Sequence, residues 1–190
     1  MASDLQESVT ERPPAKRRRN AAATRARILA MARQEFADRG FDGARLDKIA
    51  RAAKVNIALL YHYYGNKEGL FVAVLEDAYR TMRDYEGDAI VKDPDPVVAM
   101  TGLVRARFRI FLENPALIGV LNGANVHKAA HMQQSDFLRT LYQPLVHQLA
   151  DLLRRGEAQG VFRRGVNPTD LFITINAIGY FYLSNRYTLG

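Results

Sequence analysis

Residues 56–67 carry hydrogen-bonding and charged side chains on a short segment that is otherwise apolar. The side chains of Asn56 and His62 can form hydrogen bonds with base edges. Lys67 adds a full positive charge at a point where a new helix is expected to begin. The exposed N–H groups and the positive dipole end of that helix would favour an anion. Together these residues predict a surface that binds phosphate.

Two short helix patterns that meet at a tight turn are expected to position these side chains. Apolar residues between positions 46 and 53 recur at i, i+3, i+4 and i+7, which is one face of a helix. Asn56 is suited to cap the next helix, expected at residues 57–64, because its carbonyl can accept free N–H groups. Two such helices joined by three or four residues match a helix-turn-helix, whose second helix enters the DNA major groove.

Residues 28–75 resemble the DNA-binding domain of the TetR family of transcriptional regulators. The matching residues are Ile28, Leu29, Ala32, Phe36, Gly40, Phe41, Ile49, Ala50, Ala53, Val55, Leu60, Tyr61, Tyr64, Lys67, Glu68 and Leu70. The resemblance implies an N-terminal three-helix bundle that contains the helix-turn-helix, followed by a C-terminal helical domain for ligand binding and dimerisation. Because no convincing segment alternates with period two, the whole chain is expected to be all-α.

The predicted recognition helix has unusual chemistry. Its outward side chains should face base edges while Leu60 joins the core, yet Ile57, Ala58 and Leu59 cannot form hydrogen bonds through their side chains. The resemblance implies that Tyr61 binds a phosphate, with Tyr63 as a second candidate. DNA shape and phosphate contacts are therefore expected to supply much of the specificity. The predicted DNA-binding residues are Arg17, Arg18, Arg19, Arg45, Asn56, Ile57, Ala58, Leu59, Tyr61, His62, Tyr63 and Lys67.

The chain departs from the family pattern at two positions of the helix-turn-helix. The family commonly begins the second helix with Thr or Ser, where this chain has Ala44 and Arg45. The hydroxyl cap is lost, but Arg45 offers a charged phosphate contact. The family also prefers Gly in the turn, where this chain has Lys54. A left-handed backbone there would destabilise Lys by roughly 1 kcal/mol relative to Gly.

Positive charge is concentrated near one end of the chain. The net charge is +7, and residues 12–54 hold thirteen Lys or Arg against four Asp or Glu. Such a one-ended basic surface is typical of a nucleic-acid binder; membrane attraction would give the same asymmetry, but the adjacent helix-turn-helix favours DNA. Residues 1–20 lack an apolar period and are predicted to be a disordered basic arm. Its arginines are expected in the minor groove or on phosphates; a solvated charge run or a nuclear-localisation signal are the alternatives.

The remaining helix patterns divide the chain into two parts. The first helix is predicted at residues 21–39, a long fourth helix at 68–85 and a break at 87–96. A final helix is predicted at 171–187, after Asn167 as an N-cap and Pro168 at the first helical position. Residues 97–114 are predicted to form an amphipathic helix with the apolar stripe Met100, Leu103, Val104, Phe108, Phe111 and Leu112. We place the DNA-binding domain at residues 21–82, with its helix-turn-helix at about 45–64, and the effector-binding and dimerisation domain at 83–190. The resemblance implies one further helix in the dimer bundle beyond Gly190, which leaves the exact interface open.

Polar groups inside the C-terminal helices are the candidates for a ligand pocket. They are Arg105, Arg109, Asn122, Asn125, His127, Asn176 and Tyr180, with Tyr182 as a further one. The final helix is apolar on more than one side, so its own domain or a partner must cover it. His127 and His131 have the spacing of a metal pair, but no nearby Glu completes a zinc-hydrolase motif. No metal or cofactor is therefore expected.

These observations predict a homodimeric, cytoplasmic repressor that binds a palindromic operator on double-stranded DNA and is released by an unidentified small-molecule effector. Without an apolar run of about eighteen residues, no membrane span or membrane partner is expected. An activator or a low-specificity architectural DNA binder is the nearest alternative. An enzyme that uses the histidine pair and tyrosines is a remote one, since no nucleophilic elbow, P-loop or paired-carboxylate motif is found.

Overall fold

The chain is described by a computed structural model over residues 14–91 and 93–189, with side chains over 19–85 and 93–189. Every regular element within these residues is a helix, as predicted. In chain order the helices are α1 (Pro14–Gly43), α2 (Leu46–Ala52), α3 (Ile57–Tyr64), α4 (Lys67–Val91), α5 (Pro96–Glu113), α6 (Ala116–Val126), a 3₁₀ helix (Ala130–Gln134), α7 (Asp136–Arg139), α8 (Tyr142–Ala158) and α9 (Pro168–Ser184).

Helix α1 is longer than predicted. It begins at Pro14 instead of Ala21, so residues 14–20, which were assigned to the disordered arm, are helical. Proline is favoured in the first turn because the N–H groups there have no partner within the helix, so the missing N–H of proline costs nothing. The Ala- and Arg-rich sequence that follows also favours a helix. Residues 1–13 of the predicted arm lie outside the described residues. At the other end the helix breaks at Gly40 (φ 66°), where a stop was predicted, and one more turn follows.

Side-chain caps and left-handed residues fix the helix ends. The Asn56 Oδ1 accepts a hydrogen bond from the Ala58 N–H (2.8 Å), which confirms the predicted cap of α3. Lys54 has φ 53°, so the helix-turn-helix turn is left-handed without glycine. Asn167 caps α9 just before Pro168, also as predicted. These local signals work because each satisfies backbone groups that the helix leaves unpaired.

The predicted boundary between the two parts lies inside a continuous helix. Helix α4 runs on to Val91, so the break predicted at 87–96 is shorter, because a single glycine such as Gly87 weakens a helix by only about 1 kcal/mol. Buried residues on both sides of position 82 form one apolar cluster, which includes Ile28 of α1 as well as Leu117 of α6. A division at residue 82 therefore does not separate two hydrophobic cores.

Helix α5 buries only part of the apolar stripe that the sequence predicts. Val104, Phe108 and Leu112 of that stripe are 43%, 37% and 53% exposed. Leu103 and Phe111 are buried as predicted, and Arg107 and Ile110 complete the buried face. Arg107 lies in the middle of the buried face, where the apolar pattern would place Phe108. The buried face is therefore displaced by about one residue from the predicted stripe.

Helix α6 lies directly against α1. A Cβ atom added at Gly119 would be 2.6 Å from the Ala37 carbonyl oxygen and 2.8 Å from its Cα. These distances are shorter than any stable contact, so the two backbones approach as closely as glycine permits. On the same helix, a Cβ at Gly123 would meet only the Phe71 ring at 3.7 Å, an ordinary contact.

We expect Gly119→Ala to lower the free energy of unfolding by about 1–3 kcal/mol, because the added methyl forces α6 away from α1. Gly123→Ala is the matched control, since it adds the same methyl to the same helix without a clash. It should be neutral or stabilising by up to roughly 1 kcal/mol. Urea denaturation of both variants measures the difference; equal effects would contradict the close contact.

Candidate DNA-binding and effector sites

Helix α3 presents one exposed face. Ile57 and Tyr61 are 37% and 47% exposed, and Ala58 and His62 are also exposed. Residues four apart lie on the same side of a helix, so Ile57 with Tyr61 and Ala58 with His62 form two adjacent rows of one exposed surface. Leu60 is fully buried, as predicted for the core face. The structure therefore brings together most of the side chains predicted to enter the groove.

Leu59 and Tyr63 lie at the edge of this face and are half-buried. The Arg25 guanidinium of α1 lies 4.8 Å from the centre of the Tyr63 ring, a favourable cation–π distance. The rings of His62 and Tyr63 are 5.5 Å apart. Tyr63 thus connects the exposed face of α3 to the basic side of α1, and Leu59 lies one turn earlier on the same edge.

Arg45 occupies the N-cap position just before α2, and its side chain does not cap the helix. This is consistent with the absence of the Thr or Ser that commonly caps this helix in the family. Its guanidinium donates two hydrogen bonds to the Asp47 carboxylate (3.1 and 3.2 Å), and Arg51 donates a third (2.9 Å). The Arg45 hydrogen bond holds the pKa of Asp47 below its usual value. Two guanidinium groups share one carboxylate, so this end of α2 keeps a net positive charge.

Lys67 is held by the end of α1. Its Nζ donates to the Asp42 carbonyl oxygen (2.8 Å) and lies 5.1 Å from the centre of the Phe41 ring. The Asn66 side chain accepts from the Gly69 N–H (2.8 Å), so part of the α4 N-terminus is already capped. Lys67 uses one of its three N–H donors here, and it positions the start of α4 as well as carrying charge.

The three arginines assigned to the arm belong to α1. Arg19 is exposed, whereas the side chains of Arg17 and Arg18 lie outside those described. A helical backbone spaces successive side chains about 100° apart around the axis. The three arginines are therefore carried by a helix that continues into the bundle, instead of by a flexible segment.

A cavity of about 690 Å³ lies among α4, α5, α6, α8 and α9. Much of its wall is aromatic: Phe111 packs edge-to-face on Tyr180, and Tyr142 does so on Phe172, each with ring centres 5.7 Å apart. The polar residues that line it are Tyr79, Arg83, Arg107, Asn125, Tyr142, Thr169, Asn176 and Tyr180. A mostly apolar cavity of this size with a few polar groups is typical of a small-molecule site.

Three of the predicted ligand residues line the cavity: Asn125, Asn176 and Tyr180. The amide groups of Asn125 and Asn176 each donate to the carbonyl four residues earlier on their own helix. The other four predicted residues, Arg105, Arg109, Asn122 and His127, are not part of the cavity wall. These four side chains therefore lie outside the cavity in which they were expected.

Arg105 and Arg109 point outward because of the helical repeat. Each lies two residues from Arg107, which is about 200° around the axis, and both are exposed while Arg107 is only 3% exposed. Arg107 was therefore the α5 arginine to expect in the pocket. Its spacing of four from Leu103 and three from Ile110, both buried, is the sequence signal that would have identified it.

Helix α4 and the start of α8 supply cavity residues that the sequence did not indicate. Tyr79 and Tyr142 lie within hydrogen-bond distance of each other (3.2 Å between hydroxyl oxygens). Burial and the neighbouring Tyr142 raise the pKa of Tyr79, which keeps its hydroxyl protonated. Arg83 donates to the Leu141 carbonyl (2.9 Å). These contacts join parts of the chain about 60 residues apart, so local spacing carries no sign of them.

Comparison with known proteins assigns the chain to a family. Residues 28–74 match the description "Bacterial regulatory proteins, tetR family", and residues 96–190 match "Tetracyclin repressor-like, C-terminal domain". The HTH-type transcriptional repressor NicS of Pseudomonas putida is 34% identical over 91% of this chain and 82% of its own length. The chain belongs to the TetR family of transcriptional regulators.

Other TetR-family relatives support the same fold along most of the chain. The repressor KstR2 of Mycolicibacterium smegmatis is 28% identical over 75% of this chain and 69% of its own length. The crystal structure of a transcriptional regulator from Streptomyces coelicolor, SCO4942, has 26% identity and a TM-score of 0.67, covering 87% of this chain and 83% of that protein. Within the described residues of the TetR-family chain, no helix is long and apolar enough to cross a membrane.

The histidine pair of this TetR-family protein connects its two parts. The His127 Nε2 lies 3.4 Å from the Asp42 carboxylate at the end of α1. The His131 ring is buried, with its centre 4.6 Å from that of Phe41 and 4.9 Å from that of Phe71. Among the described residues no three acidic, histidine or cysteine side chains are arranged to hold a metal ion. The pair is thus a structural contact between the α6 end and the DNA-binding helices.

We expect His131 to make the protein less stable in mild acid. Burial, together with neighbouring His127, lowers the pKa of His131 below its ordinary value of 6.5. The unfolded chain therefore takes up a proton at higher pH than the folded one, so stability is complete above about pH 6.5 and falls as the pH drops toward the lower folded pKa. The slope from one proton is at most about 1.4 kcal/mol per pH unit.

Urea denaturation at a series of pH values between 7.5 and 5 measures this effect. His131→Gln should show a shallower fall in stability than the wild type, whatever its stability at neutral pH. His147→Gln, at an exposed position on α8, is the control and should keep the wild-type slope. Identical slopes in the wild type and His131→Gln would exclude this role.

Proposed function

We propose that the protein is a homodimeric repressor that binds a palindromic operator and is released when a small molecule occupies the cavity. The observation that carries this proposal is the exposed face of α3 in a basic, TetR-type helix-turn-helix, in one chain with an aromatic-lined cavity. On this proposal the part up to about residue 82 binds DNA, and residues 83–190 bind effector and form the dimer. The protein would act in the cytoplasm, where its operator is.

Base reading at the groove would come from few groups. Ile57 and Ala58 can sense a thymine methyl but form no hydrogen bonds to base edges through their side chains. His62 and Tyr61 are the exposed hydrogen-bonding side chains of this face. We assign base reading to His62 and phosphate binding to Tyr61, with DNA shape and the α1 and α2 arginines contributing the rest.

The same apolar face also favours a second candidate. A recognition helix with few hydrogen-bond donors can bind mainly through phosphates, as an architectural DNA-binding protein does. An operator measurement separates this candidate from the repressor, because a phosphate-driven complex loses affinity with salt but shows little sequence preference. An activator would share the operator and is distinguished by the direction of the change in transcription.

We assign the dimer contact to an exposed face of α9. The inner residues of this helix, such as Leu183, are buried, while Ile178, Phe181 and Tyr182 are between 56% and 69% exposed. Large apolar side chains clustered on one helix face mark an interaction site. A second copy related by a two-fold axis would cover this face and present two α3 helices to a palindrome. On this proposal, the α9 contact forms the dimer, and the two-fold symmetry of the dimer requires a palindromic operator.

The operator experiment begins with DNA sites selected from a random-sequence library by the wild-type protein. A palindromic consensus that excess random DNA cannot displace supports the repressor; selection of no consensus at any salt concentration supports the architectural candidate. We expect His62→Ala to weaken preference at the central positions of each half-site by about 1–3 kcal/mol. Tyr61→Phe should weaken all sequences alike, and equal patterns in both variants would contradict the assigned roles.

We expect Ile178→Glu to shift the protein from dimer to monomer, because it places a charge in the apolar contact. Sedimentation equilibrium measures the dissociation constant, which should rise by at least about tenfold, and operator affinity should fall with it. Val126→Glu is the control, since Val126 is 75% exposed at the end of α6 and is not part of the α9 face. A dimer that survives Ile178→Glu would exclude this face.

A further inference from the structure

One hydrogen bond separates two distinct spaces in the C-terminal part. The Tyr180 hydroxyl of α9 donates to the Asn122 side-chain oxygen of α6. Tyr180 lines the aromatic cavity, whereas Asn122 lines a groove of about 370 Å³ between α1, α6 and α9. A ligand in the cavity can therefore reach one partner of this bond, while the other partner faces the DNA-binding helix α1.

The Tyr180 ring is well placed to respond to a ligand. It is half-buried, and Phe111 holds it edge-to-face on the cavity side. Burial raises the pKa of the Tyr180 hydroxyl, so it remains protonated and able to donate at neutral pH. A ligand that offers a better acceptor, or that needs the space of the ring, competes directly with Asn122 for this group.

Helix α6 has little freedom to move without moving α1. Asn122 lies three residues after Gly119, on nearly the same side of the helix, and Gly119 lies against the Ala37 backbone. Ala37 follows Phe36, which is buried in the core of the DNA-binding helices against Phe71. A shift of α6 at Asn122 is thus transmitted through touching backbones, with no flexible side chain between them.

We propose that the Tyr180–Asn122 hydrogen bond is the contact through which occupancy of the cavity is transmitted to the DNA-binding helices. With the bond intact, α6 is held against α9 in the position that suits DNA binding; when a ligand takes the Tyr180 hydroxyl, α6 is released and α1 follows. Tyr180 and Asn122 are then positioning residues for DNA binding. This inference rests on the proposed function, because it requires an operator and an effector cavity.

The test needs no knowledge of the effector, since removing the bond should imitate occupancy. Operator affinity of the ligand-free protein is measured for the wild type, Tyr180→Phe, Asn122→Ala and the double variant, using the DNA selected by the wild type. Each single variant should bind the operator about two- to tenfold more weakly, the range expected for loss of one hydrogen bond. The double variant should be no weaker than either single variant.

Two controls separate this role from a merely structural one. Thr101→Val removes a hydroxyl from an exposed position of α5 that lines neither the cavity nor the groove, and it should keep wild-type operator affinity. Affinity for random DNA should be unchanged in all variants, because the phosphate contacts remain. Since Asn122 is exposed, Asn122→Ala remains informative even if Tyr180→Phe lowers the melting temperature.

Several results would overturn the inference. Wild-type operator affinity in both single variants, with or without a lower melting temperature, would show that the bond is only structural. Additive losses in the double variant, or an equal loss in Thr101→Val, would show that the two residues do not act together. If the wild type itself selects no operator, the proposed function fails and this inference fails with it. That result is seen in the DNA selection with the wild type, before any variant is compared.

Discussion

The close approach of α6 to α1 is the constraint on which the rest of the structure depends. Because Gly119 brings the α6 backbone against Ala37, the C-terminal part and the DNA-binding part share one core. Helix α1 in turn supports the helix-turn-helix: Arg27 donates to the Ala53 carbonyl (2.7 Å), and Arg33 forms an ion pair with Asp77 of α4. A change in α6 therefore reaches α2 and α3 through packed elements.

In the proposed homodimer this arrangement is compatible with regulation through a modest recognition helix. The exposed face of α3 offers few hydrogen-bonding groups, so operator affinity would depend strongly on how well the two α3 helices fit the spacing of the DNA. Small displacements of α1 and α4 would alter that spacing. A ligand needs only to bind the two arrangements with different affinity to shift the population between them.

The predictions from sequence succeeded where the determining contacts are local. The caps at Asn56 and Asn167, the left-handed turn at Lys54 and the burial of Leu60 all depend on neighbours within a few residues. They were less accurate on α5, where half of the predicted apolar stripe is exposed and Arg107, which hydrophobicity alone does not place inside, is buried.

The sequence by itself determined the family, the helical fold, the helix-turn-helix and most of the face that α3 presents, because these follow from periodicity, capping and one-ended charge. Tertiary structure alone decided the cavity and its connections. The Tyr79–Tyr142 contact and the Tyr180–Asn122 bond each join residues about 60 positions apart, and the Gly119–Ala37 contact spans more. Such pairs are set by how helices cross, and helix crossing depends on the shape of whole packed surfaces instead of the spacing along any one segment.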